Sequence, residues 1–161
     1  MKSTYIRFII VILPFISSCT QKREQPIEVI SMNNTRSIDQ LKKLALKGDT
    51  TAYDELEVAL MNDKYKEEYL IYSMVMANKY RYPRAYFQVY YCLTSIFEHH
   101  SGLIDEKTKV LAIEYLKKGV ELKECQSVKE LGNLYMEGKY VPKDTILGKE
   151  LEKEGRKLCG F

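Results

Sequence analysis

From residue 37 onward, apolar residues recur every three or four positions, which is the spacing of a helix that buries one face. Ser37 followed by Gln40 is a capping-box start, and Leu41 and Ala45 then share a face before Gly48 ends the segment. The same pattern predicts further helices over residues 50–61, 64–80, 83–99, 105–123, 127–137 and 143–158. Since no segment alternates like a strand, the sequence predicts an all-α protein of about seven helices.

Aromatic residues are concentrated in the two middle helices of this series. The chain has thirteen tyrosines and no tryptophan, and Tyr82, Tyr86 and Tyr90 are spaced at i, i+4 and i+8. Phe87 and Tyr91 lie beside them on the same predicted helix. Such a stripe either packs between helices or presents a partner-binding surface, because tyrosine tolerates both burial and exposure. We take Tyr82, Tyr86 and Tyr90 as candidate partner-binding residues, with packing as the alternative.

The most specific internal pattern lies in residues 127–155, which read SVKELGNLYMEGKYVPKDTILGKELEKEG. Its elements are Leu131-Gly132, Leu134-Tyr135, Gly138, Val141 and Asp144. Gly132 would let two helices approach closely, and Gly138 would take the left-handed conformation that ends a helix. Val141 would hold the turn against the core, and Asp144 would cap the next helix. These elements resemble one Sel1-like repeat, a helix-turn-helix unit related to the tetratricopeptide repeat and about 36 residues long.

A period inside the chain agrees with this resemblance. Three pairs are 36 residues apart: Leu111 and Leu147, Ala112 and Gly148, Gly119 and Gly155. We interpret Gly48-Asp49 as a junction of the same kind, 71 residues before Gly119, with the later junction about four residues longer. The resemblance implies a short right-handed α-solenoid of stacked helix pairs. The segments 64–80 and 83–99 match the repeat poorly, and an irregular helical bundle is the alternative.

The N-terminal segment predicts export. Lys2 and Arg7 precede nine almost wholly apolar residues (8–16, FIIVILPFI), and two small residues, Ser17 and Ser18, follow. A basic start, a short apolar stretch and small residues form a secretory signal. A membrane-spanning helix is the alternative, but nine helical residues reach only ~14 Å, whereas a bilayer core is roughly 30 Å thick. We therefore predict a signal peptide over residues 1–18.

Cys19 makes this signal more specific. The run Ile16-Ser17-Ser18-Cys19 resembles a bacterial lipoprotein signal, in which the cysteine becomes the new N-terminus and carries lipid, palmitate included. Stable anchoring generally takes two or more acyl chains, which a lipoprotein head supplies. Thr20 stands where an Asp would resemble an inner-membrane retention signal, so we expect the outer membrane. Residues 19–36 are polar, contain Pro26 and predict a tether, which leaves residues 37–161 as the helical domain.

Charge and cysteine content restrict the partners. Removal of residues 1–18 leaves 143 of 161 residues, and the 25 basic and 22 acidic side chains become 23 and 22, a net charge of +1. A near-neutral exported chain has no electrostatic reason to bind nucleic acid. Of the remaining cysteines, Cys92 is expected to be a buried apolar residue. Cys125 and Cys159 lie near the ends of two segments that could be neighbours, and whether they form a disulfide is left open.

No sequence pattern indicates catalysis. The chain lacks HExxH, GxSxG, SxxK and a glycine-rich phosphate loop. Acidic residues such as Glu150, Glu152 and Glu154 alternate with lysines and are typical of solvated helix faces. His99 and His100 are adjacent, and i, i+1 residues do not share a helix face, so a metal site is not expected. We predict no catalytic residues, no metal site and no cofactor.

These observations favour a lipid-anchored, non-catalytic module that binds a protein partner in the bacterial cell envelope. The resemblance implies one specific version, because some small lipoproteins with Sel1-like repeats are immunity proteins that neutralise antibacterial effectors. An envelope assembly adaptor, a structural protein that binds sugar polymers, and a glycan- or lipid-active hydrolase are the alternatives. Exposed tyrosines on a flat platform would favour sugar binding, and converging Glu, His or Ser side chains would favour the hydrolase.

Overall fold

The computed structural model describes residues 36–61, 65–101 and 104–160, without the side chains of 97–101. These residues form seven helices: α1 (Ile38–Ala45), α2 (Thr50–Leu60), α3 (Lys66–Tyr80), α4 (Pro83–Ser101), α5 (Glu106–Glu121), α6 (Cys125–Glu137) and α7 (Thr145–Cys159). No strand occurs in these ranges, which confirms the all-α prediction. Cys19, the predicted signal peptide (residues 1–18) and all of the predicted tether except Arg36 lie outside the described residues.

Most helices begin at a side-chain cap. Ser37 accepts a hydrogen bond from the backbone N–H of Gln40, as the capping-box pattern predicted. Acidic residues cap four other helices in the same manner: Asp49 for α2, Asp105 for α5, Glu124 for α6 and Asp144 for α7. A carboxylate there satisfies free backbone N–H groups and faces the positive end of the helix dipole. The polar residues between apolar segments therefore define where helices start.

The helices stack as a linear array. Each helix packs against the next in sequence, and α1 also contacts α3 while α4 contacts α6. One continuous apolar core extends from Leu41 in α1 to Leu134 in α6, with Tyr53, Tyr69 and Met76 fully buried near its middle. Such packing, in which contacts stay between neighbours along the chain, is typical of helical repeat proteins. No helix of the described part is long and apolar enough to cross a membrane.

Gly48 and Gly119, which the sequence spacing compared, do not occupy equivalent positions in the structure. Gly48 has φ +91° and lies in the turn between α1 and α2, whereas Gly119 lies within α5. The turn after α5 instead has Lys123 in the left-handed conformation (φ 56°), followed by the cap Glu124. The later junction was counted from Gly119 because spacing alone does not reveal which residue takes positive φ.

Hydrogen bonds give the correct correspondence between the two junctions. The N–H of Asp49 donates to the carbonyl of Leu44 (3.2 Å), and the N–H of Glu124 donates to the carbonyl of Gly119 (3.0 Å). Asp49 and Glu124 are 75 residues apart, and Leu56 and Leu131, both buried, share this offset. The junctions are therefore of equal length, and the four extra residues disappear when Gly48 is aligned with Lys123.

Cys125 and Cys159 form a disulfide between the start of α6 and the end of α7, with Cα atoms 5.4 Å apart. This settles the pairing that the sequence left open. Cys92 is a free, fully buried thiol on α4, as expected. Desolvation by burial raises the pKa of this thiol to about 12, so it stays protonated at neutral pH.

Candidate partner-binding site

The predicted repeat residues lie within the α6–α7 hairpin and determine how its two helices pack. Leu131 is buried, and the half-buried Tyr135 packs against the core. Gly132 allows the close helix approach that its position predicted: a Cβ there would lie 3.0 Å from both the carbonyl oxygen of Gly148 and the backbone nitrogen of Glu152. A side chain at this position would meet backbone atoms, which cannot rotate away. The glycine is therefore required by packing.

The turn between α6 and α7 also follows the predicted roles. Gly138 ends α6 in the left-handed conformation (φ 74°), and the half-buried Val141 packs against the core. Asp144 caps α7 by accepting hydrogen bonds from the N–H groups of Ile146 and Leu147 (3.1 and 3.0 Å). All these roles concern folding, so the repeat residues form the scaffold of the array.

The three candidate tyrosines are not an exposed surface. Tyr86 and Tyr90 are 7% and 5% exposed, so their rings pack between helices, which was the alternative interpretation. Tyr82 is half-buried and its hydroxyl donates to Oδ2 of Asp54 (3.1 Å). Burial and the nearby Asp54 carboxylate both raise the pKa of Tyr82. The i, i+4, i+8 stripe faces the core because α4 is covered by its neighbours on that side.

A partly exposed aromatic groove lies at the edge of this stripe and includes Tyr90. Phe87, Tyr90 and Tyr91 of α4, with Glu130 of α6 and Lys139 after it, line a groove of about 290 Å³. We call it the aromatic groove; Thr94 and Ser95 complete its lining. Tyr91 is 40% exposed, which makes it the accessible ring of the groove. An exposed aromatic side chain in a concave surface is a typical anchor point for a partner.

The ring of Tyr91 contacts two neighbouring side chains. Its centroid lies 6.3 Å from that of Phe87 at an interplanar angle of 26°. The ammonium of Lys66, a buried residue at the start of α3, lies 5.5 Å from the same centroid. Aromatic and cation–π contacts of this kind restrict ring motion. Less conformational entropy is therefore lost when a partner covers Tyr91.

Polar contacts join alternate helices of the array. The hydroxyl of Tyr90 donates to Oε1 of Glu130 (2.8 Å), which links α4 to α6. On α2, the carboxylate of Glu57 accepts from Nε2 of Gln88 (2.8 Å) and from Nε of Arg84 (3.1 Å), both on α4. Side-chain hydrogen bonds thus link α4 both to α2 and to α6. Sequence reasoning missed Glu57 because its partners are at least 27 residues away.

The buried pair Tyr53 and Tyr69 does not have the properties of catalytic groups. The hydroxyl of Tyr53 donates to Oγ of Ser73 (2.9 Å), and its ring stacks on Tyr69 at 5.3 Å. Burial raises the pKa values of both tyrosines, so they stay neutral. A catalytic nucleophile or base needs a pKa shifted toward the working pH. The pKa values of these two tyrosines are shifted away from it. This cluster therefore stabilises the core.

A metal site is likewise not found among the described residues. No group of three or more His, Cys, Asp or Glu side chains in that part of the chain is arranged to hold a metal ion. The side chains of His99 and His100 lie outside the described residues.

Comparison with protein-family models, with curated proteins and with solved structures returns no match. The Sel1-like assignment therefore stays a prediction that rests on the residues and the period given above.

Proposed function

We propose that this protein is a lipid-anchored, non-catalytic module of the bacterial cell envelope that binds a protein partner in the aromatic groove. The observation that carries the proposal is the exposed ring of Tyr91, which is 40% accessible and held by Phe87 and Lys66. Tyrosine is enriched at the centres of protein interfaces, where a rigid apolar ring and a polar hydroxyl contribute together.

The arrangement supports protein binding more than sugar binding or hydrolysis. Tyr86 and Tyr90 are buried, so the tyrosines do not form the flat exposed platform that a sugar polymer would need. The single carboxylate of the groove, Glu130, already accepts a hydrogen bond from Tyr90. A hydrolase would need a second acid or a nucleophile converging on the same point. The envelope adaptor remains the other form of protein-binding module.

Two features support the location. The N-terminal sequence through Cys19 resembles a lipoprotein signal. Independently, the chain holds a disulfide between Cys125 and Cys159, and such bonds persist mainly in oxidising compartments outside the cytosol. We propose that Cys19 carries the lipid and that the domain faces the periplasm or the cell surface, anchored in the outer membrane.

The anchor is tested by labelling cells with an alkyne fatty acid. We expect the wild-type chain to incorporate the label and to partition into membranes. The Cys19→Ser variant should lose both, whereas Cys92→Ser, which changes a buried thiol, should keep both. Labelling of the Cys19→Ser chain at the wild-type level would contradict the proposed anchor.

The specific version that we favour is an immunity protein that covers the active face of an antibacterial effector. A deletion strain should then be killed in contact with effector-producing neighbours, and the wild-type chain should restore survival. The Tyr91→Ala chain should fail to protect, whereas Ile71→Ala, which changes an exposed residue of α3 outside the groove, should protect fully. Normal growth of the deletion strain in contact with its neighbours would overturn the immunity role. The envelope assembly adaptor would then be the remaining form of the proposed protein-binding module.

A further inference from the structure

The last helix is attached to the array in an unusual way. The backbone of α7 lies next to α6 and next to no other helix of the described part. Its buried residues are Gly148 and Gly155, neither of which has a side chain. By contrast, α6 buries Val128, Leu131 and Leu134. Burial of apolar side chains is the main force that docks helices, and α7 contributes only half-buried ones, such as Leu151, which packs against the core.

Close backbone contact replaces side-chain burial along this interface. A Cβ at Gly148 would lie 2.8 Å from the carbonyl oxygen of Gly132, and one at Gly155 would lie 3.0 Å from the backbone nitrogen of Lys129. Dispersion contacts of this kind weaken steeply when atoms separate by a fraction of an ångström. The interface therefore needs both of its ends to be held in register.

The two ends are held by different means. At the turn, the N–H of Asp144 donates to the carbonyl of Tyr135 (2.9 Å), and the Asp144 side chain caps α7. At the open end, Cys125 is the first residue of α6 and Cys159 is the last of α7, and the disulfide joins them. Both cysteines are half-buried, so a thiolate in solution can reach the bond.

We propose that the docking of α7 on α6 depends on the Cys125–Cys159 bond, so that the last helix pair closes only where thiols are oxidised. Closure joins the two sulfur atoms with loss of two protons and two electrons. A disulfide-bearing oxidant of the compartment accepts them by thiol–disulfide exchange and leaves as a dithiol. A dithiol such as dithiothreitol reverses the step and becomes a cyclic disulfide. This inference does not depend on the identity of the partner.

The test is hydrogen exchange of the full chain, with Cys19→Ser to remove the lipid site, before and after treatment with dithiothreitol. We expect amides of α7 to exchange at least about tenfold faster after reduction, because local opening follows local stability. Amides of α3 and α4 should change by less than about twofold. Unchanged protection of α7 after reduction would overturn the proposal, and so would equal loss of protection in all helices.

Two variants separate the bond from other effects of the reductant. The double variant Cys125→Ser and Cys159→Ser should show fast α7 exchange without reductant and no further change with it. Gly148→Ala should mimic reduction in part while the disulfide stays intact, because its Cβ would press against the carbonyl of Gly132. Slow, wild-type exchange of α7 in the double variant would contradict the proposal.

Discussion

The hydroxyl of Tyr90 donates a hydrogen bond to Oε1 of Glu130, 2.8 Å away, and thereby joins α4 to α6 at the base of the aromatic groove. Tyr90 is 5% exposed, so this bond is shielded from water more than a surface bond would be. Hydrogen bonds to a charged acceptor in such surroundings are stronger than neutral ones. The bond fixes the position of α6 relative to the helix that carries Tyr91.

Tyr90→Phe removes the hydroxyl and keeps the ring. We expect the free energy of unfolding to fall by about 1–2 kcal/mol, because the Glu130 carboxylate loses a donor in a partly buried position. Urea denaturation measures this change. The control is Tyr91→Phe on the more exposed neighbouring ring, which should change stability by less than about 0.5 kcal/mol. Equal losses in the two variants would show that the Tyr90–Glu130 bond has no special role.

Gly132→Ala tests the close approach of α6 and α7. Alanine favours a helix over glycine by about 1 kcal/mol, but its Cβ would lie 3.0 Å from backbone atoms of Gly148 and Glu152. Because overpacking against backbone destabilises by about 1–3 kcal/mol, we expect a net loss in chemical denaturation. Asn133→Ala, at an exposed position of the same helix, should be neutral or stabilising. A Gly132→Ala protein more stable than the wild type would contradict the packing described here.

Asp105 gives the stability of α5 a dependence on pH. Hydrogen bonds from the Thr108 hydroxyl, and then from backbone N–H groups, lower the pKa of this carboxyl below its usual value. A lowered pKa stabilises the folded state above the unfolded pKa of about 3.9, and this contribution disappears as pH falls through the folded value. Asp105→Asn should therefore lower Tm at pH 7, with the difference from wild type narrowing below about pH 4. A Tm difference between the two proteins that stays constant down to pH 3 would contradict the role of the Asp105 carboxylate.

Cys92 should be unreactive in the folded protein. Burial raises the pKa of its thiol to about 12, and only the thiolate reacts rapidly with alkylating agents. In the Cys19→Ser chain with its disulfide intact, we expect iodoacetamide at pH 8 to label Cys92 at least about a hundredfold more slowly in the native state than in urea. Intact mass measures the reaction. Rapid labelling of the native protein would mean that the core opens around α4.

The helices could be predicted from the sequence because their signals are local. The apolar period and the caps of Ser37 and Asp144 lie within a few residues of each helix that they define. Predicted and observed ends agree to within about two residues, which is the usual scatter of helix termini. The roles of Gly132 and Gly138 were also predictable, since few residues other than glycine suit a close helix approach or a left-handed helix end.

The aromatic groove could not be predicted from the sequence, because the exposure of a side chain depends on the neighbours of its helix. Tyr90 and Tyr91 are adjacent on α4, yet one is 5% and the other 40% exposed. A single helix pattern identifies the aromatic stripes but not which stripe the neighbouring helices cover. The junction after α5 was misplaced for a related reason: Lys123 takes a left-handed conformation that is usually assigned to glycine. The Cys125–Cys159 bond could not be predicted either, because it depends on how α6 and α7 pack against each other.

The most direct test of protein binding in the aromatic groove is a quantitative capture experiment with the helical domain, residues 37–161. Wild-type, Tyr91→Ala and Ile71→Ala domains are used as bait for extracts of the parent and neighbouring strains, and captured proteins are identified by mass spectrometry. We predict one stoichiometric protein on wild type and Ile71→Ala, reduced at least about tenfold on Tyr91→Ala, as expected for an interface anchor. Equal capture by all three domains, or retention of glycan or lipid instead of a protein, would contradict a protein-binding role for the aromatic groove.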